Sequence, residues 1–495
     1  MESSHGSKVL SGAMLMVALR LSVKSLGLVS TIVLARLLAP EDFGLIALVM
    51  SAFALIELIN AFGFDLVLIQ KQQADESHYN TSWTIKALFG LLACLLMLFA
   101  AAPLADFYQD GRVSSLVYCL SVMFVINGLT NIGTVNFRKE LNFKREFAFE
   151  FTTKVLSVVV TLILAFILRN YWALAIGMLF NALIRLSLSY MMSHYRPAFC
   201  LSKWKELYAF SGWLLINNIL TYMNLKAKDL IIGKLAGVQY VGHYNVGDEF
   251  ANLPSTEFVA SVNRATYPGY AKVAHNKSEL KALYTKVLSS IAMVGIPSSL
   301  GLALIAPTFV PVVLGEQWLE VIPILHILAF ASAFICLNTN VGYVFMAMGK
   351  PKYTTALLGL RVSLMLGLMF YLITAQGYIG AAYAVLATSI MMFPVFTGAI
   401  CISLKLSIWH YLGCIFRPLV SAGVMYLGCA KLFYHSISVP VTPPASASIT
   451  ELLLLLICGG VIYVLTNLGL WLVQGRPDGP ERHIQDMLIQ KIRHR

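Results

Sequence analysis

Apolar stretches long enough to cross a membrane recur about fourteen times between Ser11 and Val473, separated only by short polar breaks. A hydrocarbon core roughly 30 Å thick takes about 20 residues of helix to span, and lipid offers no partner to an unpaired backbone group. Barrel strands would be about half as long. The chain is therefore expected to be an all-α polytopic membrane protein. Its spans are placed at 11–35, 43–66, 82–104, 114–136, 151–168, 171–192, 207–232, 240–263, 285–313, 322–347, 354–374, 379–402, 412–434 and 450–473. They use up nearly all of the 495 residues, so no loop has room for an independently folded soluble domain.

The short loops alternate in charge. With the N-terminus in the cytoplasm, roughly twenty Lys and Arg fall inside and fewer than ten outside, as the positive-inside rule asks. Both termini are expected on the cytoplasmic side, and Arg20 and Lys24 interrupt the first apolar run too early for a cleaved signal. The net charge of +12 is spread over loops and tail, which argues against a nucleic-acid partner. In Asn136 to Phe151, Phe137, Leu141, Phe143 and Phe147 alternate with bases, a pattern suited to the anionic inner leaflet and its membrane lipids. The eight cysteines are scattered singly, and the ten histidines form neither an i,i+4 pair nor HExxH, so no metal site is expected. No GxxxxGK[ST] occurs, and no cofactor is expected.

An ungapped internal repeat divides the chain. Ala35-Arg36-Leu37-Leu38-Ala39-Pro40-Glu41-Asp42-Phe43-Gly44 lies between the first two spans, and Gly233-Lys234-Leu235-Ala236-Gly237-Val238-Gln239-Tyr240-Val241-Gly242 lies between the seventh and eighth. The corresponding positions imply two parallel six-helix lobes enclosing a pathway. Residues 1–200 form the first lobe, 201–403 the second, and 404–495 two extra helices with a cytoplasmic tail.

Charges deep in the spans mark that pathway, since each costs about 2.5–3.5 kcal/mol at a helix centre. Arg20 and Lys24 share one face of the first span and suit a pyrophosphate, with Glu57 of the second span as the alternative, structural partner. Lys226 lies close enough to the outer end of its span to snorkel, whereas Arg361 sits deeper. Asn218 is a candidate for sugar hydroxyls or for helix contacts. Asp248, Glu249 and Glu257 are candidates for ion coupling or charge pairing, with H+ and Na+ both open. Arg185 is expected to reach the inner interface, and Pro254 and Pro394 are expected to be either bend points or tolerated kinks.

Leu34 to Leu48, LARLLAPEDFGLIAL, resembles the first-hairpin signature of the polysaccharide transporter family, a lipid-linked oligosaccharide flippase family in the superfamily that also holds multidrug extrusion pumps and the lipid II flippase. Tyr244-Asn245 through Asn252-Leu253-Pro254 to Tyr267-Pro268, Pro297, and Leu314-Gly315-Glu316-Gln317-Trp318 with Pro323 extend the resemblance, which is closest to exporters of the colanic acid type. Gly44, Gly242 and Trp318 read as turn and interface residues. The resemblance implies two six-helix lobes in a V plus two helices, in a bacterial inner membrane. It implies translocation, without enzymatic chemistry, of undecaprenyl-pyrophosphate-linked oligosaccharide from inner to outer leaflet during exopolysaccharide or lipopolysaccharide assembly, with polymerase and chain-length machinery as partners. Cation-coupled multidrug efflux is the competing function, though a cationic drug would favour acids where the first lobe carries bases.

Overall fold

The computed structural model describes the chain apart from residues 1, 61–67, 69–73, 141, 205–211, 437–438, 440–446, 477–480 and 483–495, and apart from the side chains of 2–18, 20, 59–60 and 212–216. Among the described residues the structure is helical and falls into two compact units, Met1–Gly242 and His243–Arg495. Ten helices among the described residues are long and apolar enough to cross a membrane.

The first unit holds α1 (Glu2–Leu37), α2 (Pro40–Asn60), α3 (Glu76–Tyr108), α4 (Gly111–Gly128), a short α5 (Val135–Lys139), α6 (Phe143–Leu168) and α7 (Trp172–Met192). After them come α8 (Gly212–Leu225), α9 (Ala227–Leu235) and the start of α10 (Val238–Ala251). The closest packings pair α3 with α4, α6 with α7, and α1 with α6. The expected seventh span differs from the structure, because α8 and α9 are separate helices broken at Lys226.

The turn opening α2 gathers its neighbours. Asp42 accepts from the Ala39 amide at 3.0 Å, which caps the helix start, and from the Tyr171 amide at 2.9 Å, which ties in the turn before α7. Glu41 pairs with Arg112, which also pairs with Asp110 at 2.8 Å, so the turn between α3 and α4 joins the same end. The repeated glycines meet here. A Cβ on Gly44 would lie 2.1 Å from the Val238 carbonyl oxygen, and one on Gly242 would lie 1.9 Å from that of Pro40. The two members of the internal repeat are thus each other's packing partners, backbone against backbone.

The second unit continues through a π-helical turn at Pro254–Val259 to α11 (Ala260–Val273), then α12 (Lys277–Phe309), α13 (Val321–Ala347), α14 (Pro351–Gln376), α15 (Ile379–Leu404), α16 (Ile408–Tyr434) and α17 (Ile449–Val473). Pro254 opens that π-helical turn, while Pro394 sits inside continuous α15. Most of the most apolar window of α13 is buried, and α12, α15, α11 and α14 pack around it. Tyr270, Tyr284, Phe345 and Tyr411 fill this core, and the Tyr463 hydroxyl donates to the Met293 carbonyl at 2.6 Å. Trp318 is fully buried, with the His243 ring edge-on at 5.9 Å.

Gly44→Ala or Gly242→Ala forces a methyl into a carbonyl and is expected to cost about 1–3 kcal/mol. Gly367→Ala in α14, with nothing within 4 Å of the added carbon, serves as the tolerant control. Thermal unfolding of the detergent-solubilised protein should show lowered Tm for the first two only. The Arg112 guanidinium holds the Asp110 carboxyl below the usual carboxylate range. That contribution is present above the unfolded pKa of about 3.9 and is lost as pH falls through the lowered folded value. The Tm gap between parent and Arg112→Met should therefore be widest at neutral pH and close on acidification.

Candidate functional site

Two cavities of comparable size lie inside the first unit. The first, about 500 Å³, is lined by Glu57 on α2, Lys86 and Gly90 on α3, Asn127 and Gly128 on α4, Asn218 and Tyr222 on α8, and Lys226. The second, about 510 Å³, is lined by Lys86, Asn127, Thr130, Asn131 and Thr134, with Asn181 and Arg185 from α7. Lys86 and Asn127 line both. Their helices come together because each lacks a side chain at the crossing: a Cβ on Gly90 would lie 2.4 Å from the Phe124 carbonyl oxygen, and one on Gly128 would lie 2.7 Å from that of Lys86.

Of the residues singled out in the sequence, Glu57, Asn218 and Lys226 come from three different spans and converge on the first cavity. Glu57 is exposed and makes no ion pair or hydrogen bond with another described residue. Lys226 occupies the break between α8 and α9, where its amide donates to the Tyr222 carbonyl at 2.7 Å. Its ammonium is 4.0 Å from Asp229, yet its side chain is 42% exposed while that of Asp229 is fully buried. Asp229 is held by Ser51, whose hydroxyl donates to it at 2.7 Å. The carboxylate is thus built into the helix packing, and the lysine is left open to a second anion. Lys24 of α1 is partly buried and the Lys154 ammonium lies over Gly27, one turn away, placing a second cation of α6 against that stretch of α1. The Arg20 side chain lies outside the described residues.

In the second unit, Arg361 on α14 lies within electrostatic reach of Asp248 and Tyr244 on α10. Asn252 donates to the Asp248 carboxylate at 2.7 Å. Glu249 on α10 and Glu257 in the π-helical turn are partly exposed. Arg361 and Asp248, singled out separately from the sequence, therefore lie within electrostatic reach of each other.

Sequence reasoning passed over Lys86, Asn127, Asn181 and the cavity role of Arg185. Lys86 is four residues into its expected span, where a lysine ordinarily reaches the interface. Gly90, one turn on, was the available signal for a close helix approach. Arg185, expected at the interface, instead makes a two-pronged pair with Glu150, at 2.8 Å and 3.1 Å, with its guanidinium over the Phe149 ring.

Residues 33–323 match the family described as Polysaccharide biosynthesis protein. The chain belongs to this family. It is 25% identical to "Lipopolysaccharide biosynthesis protein WzxC" of Escherichia coli (strain K12), over 69% of this chain and 70% of that one. It is 24% identical to "Succinoglycan biosynthesis transport protein ExoT" of Rhizobium meliloti (strain 1021), over 61% and 62% respectively. Among solved structures, the lipid II flippase MurJ in an inward closed conformation superposes with a TM-score of 0.74 at 14% identity, covering 94% of this chain and all of that one. This polysaccharide biosynthesis protein is accordingly a multi-pass helical membrane protein with the fold of that transporter. The hub turn at Ala39–Gly44, the Lys226 break and Trp318 all fall inside the matched range.

Removing the buried Asp229 breaks the packing, whereas removing the half-exposed Lys226 does not. Asp229→Ala should cost about 1–3 kcal/mol, because the Ser51 hydroxyl loses its buried acceptor, and lower both Tm and the amount of protein in the membrane. Lys226→Ala should leave both near the parent values, because an exposed pair at this separation contributes about 0–1 kcal/mol.

Proposed function

We propose that this protein is a flippase that moves undecaprenyl-pyrophosphate-linked oligosaccharide from the inner to the outer leaflet of a bacterial inner membrane by alternating access. The observation that supports this reading is the first cavity, where the half-exposed Lys226 faces a space inside an apolar helical unit of a polysaccharide biosynthesis protein, with Lys86 also in its lining. A cation kept at a membrane-embedded cavity wall is costly unless an anion or water meets it, and a pyrophosphate supplies up to several strong acceptors. Arg20 and Lys24 on the first helix are the further candidates for holding the pyrophosphate. Arg361 with Asp248 forms the charged position of the second lobe, and Glu249 and Glu257 stand as coupling candidates. The lobes are 1–200 and 201–403, with fourteen spans in all and both termini cytoplasmic.

The reaction is translocation without bond making. With the cytoplasm negative, outward movement of about two negative charges releases roughly 4–5 kcal/mol per 100 mV, so no nucleotide is required, and H+ or Na+ coupling would add to that drive. The released substrate is passed to polymerase and chain-length machinery on the outer face.

Deletion of the gene should make undecaprenyl-linked repeat units accumulate, measured by mass analysis of extracted lipids. Lys86→Ala and Lys226→Ala should each lower polymer export by roughly tenfold, the loss of one charged hydrogen bond in the rate-limiting state, at normal membrane abundance. The double variant Arg20→Ala, Lys24→Ala should do the same. Unaltered lipid intermediates in the deletion strain would refute the proposal, and loss of drug resistance in their place would favour efflux.

A further inference from the structure

The second cavity holds polar groups that the packing of the first unit leaves unused. Most of its other polar lining is occupied by the protein. The Asn131 side chain donates to the Tyr195 carbonyl at 2.8 Å and accepts from the Gly133 amide at 2.8 Å. The hydroxyls of Thr130 and Thr134 donate to backbone carbonyls of Ile126 and Asn131. Both terminal nitrogens of Arg185 are engaged by Glu150, which also cancels its charge.

Asn127 and Asn181 are different. They project from α4 and α7 into the same cavity, both partly exposed to it, and neither amide makes a hydrogen bond with another described residue. Asparagine within membrane helices ordinarily serves as glue by bonding across to the next helix, and these two do not. Each presents two donors and an acceptor to open space, the complement of a ring of vicinal hydroxyls. A volume of about 510 Å³ sits within the range of small-molecule pockets, about 300–1,000 Å³. Lys86 and Asn127 line both cavities, so a group held against Lys86 and Lys226 in the first has its attached neighbour directed into the second.

We infer that the second cavity is the seat of the sugar next to the pyrophosphate, with Asn181 and Asn127 reading its hydroxyls. A neutral pyranose fits better than an acidic one, because Arg185 is already neutralised and Lys86 is shared with the phosphate side. The inference rests on the flippase reading and deepens it, by assigning the glycan and the phosphate to separate walls.

The test compares two ligands on the purified full-length protein by native mass spectrometry: undecaprenyl pyrophosphate, and the same lipid carrying its oligosaccharide, extracted from a producing strain. The readout is the ratio of their affinities. In the parent the glycosylated lipid should bind at least about tenfold more tightly, and Asn181→Leu should bring the ratio close to one. Asn181→Ala, which removes the amide without filling the cavity, provides the same comparison should the leucine variant unfold. A ratio unchanged in both variants, or a parent that binds both lipids equally, would overturn the sugar seat and leave the phosphate reading intact. A parent that binds neither lipid would overturn the flippase reading, and the sugar seat with it.

Discussion

Hydrocarbon contains no water, and most of this structure follows from that constraint. Backbone groups must be paired within each segment, which makes every long apolar stretch a helix. Side-chain charges must then find either a fixed partner or a cavity. Asp229 shows the first solution, fully buried and held by Ser51. Lys226 shows the second, half-exposed at the wall of a space shared by α2, α3, α4 and α8. In the second unit Arg361 lies within electrostatic reach of Asp248.

The helices that build the first cavity are held at a distance from it. Glu57 is thirteen residues beyond Gly44 on α2, about 20 Å at 1.5 Å per residue. The hub formed by Asp42, Glu41 and Arg112 therefore sets the position of the α2 end that is remote from the cavity. This separation explains why the family signature at Ala39–Gly44 contributes no cavity side chain: its work is to fix the frame. Polar lining for the first cavity is supplied elsewhere, where α3 and α4 approach through Gly90 and Gly128.

The long spans and the internal repeat were legible because apolar length and an ungapped match are properties of the chain alone. Convergence was not. Glu57, Asn218 and Lys226 each stood out as a polar residue in an apolar run, but only packing brings their helices to one cavity. Lys86 escaped notice because a lysine near a span end normally reaches water, and Asn127 and Asn181 because an intramembrane amide normally binds its neighbour helix. The break at Lys226 has no proline to announce it. Pro254 does mark an irregularity, for a π-helical turn begins there.

The contact of Gly44 with Gly242 is made by backbone alone, and backbone has no rotamers. A side-chain interface yields gradually, each group re-seating as its partner slides. Here the Val238 and Pro40 carbonyls already occupy the space where a first side-chain carbon would stand, so there is nothing to re-seat. Two helix ends joined in this way are either touching or apart. The crossing therefore leaves no side chain to absorb a shift: any sliding of one helix end over the other brings carbonyl oxygen directly against α-carbon.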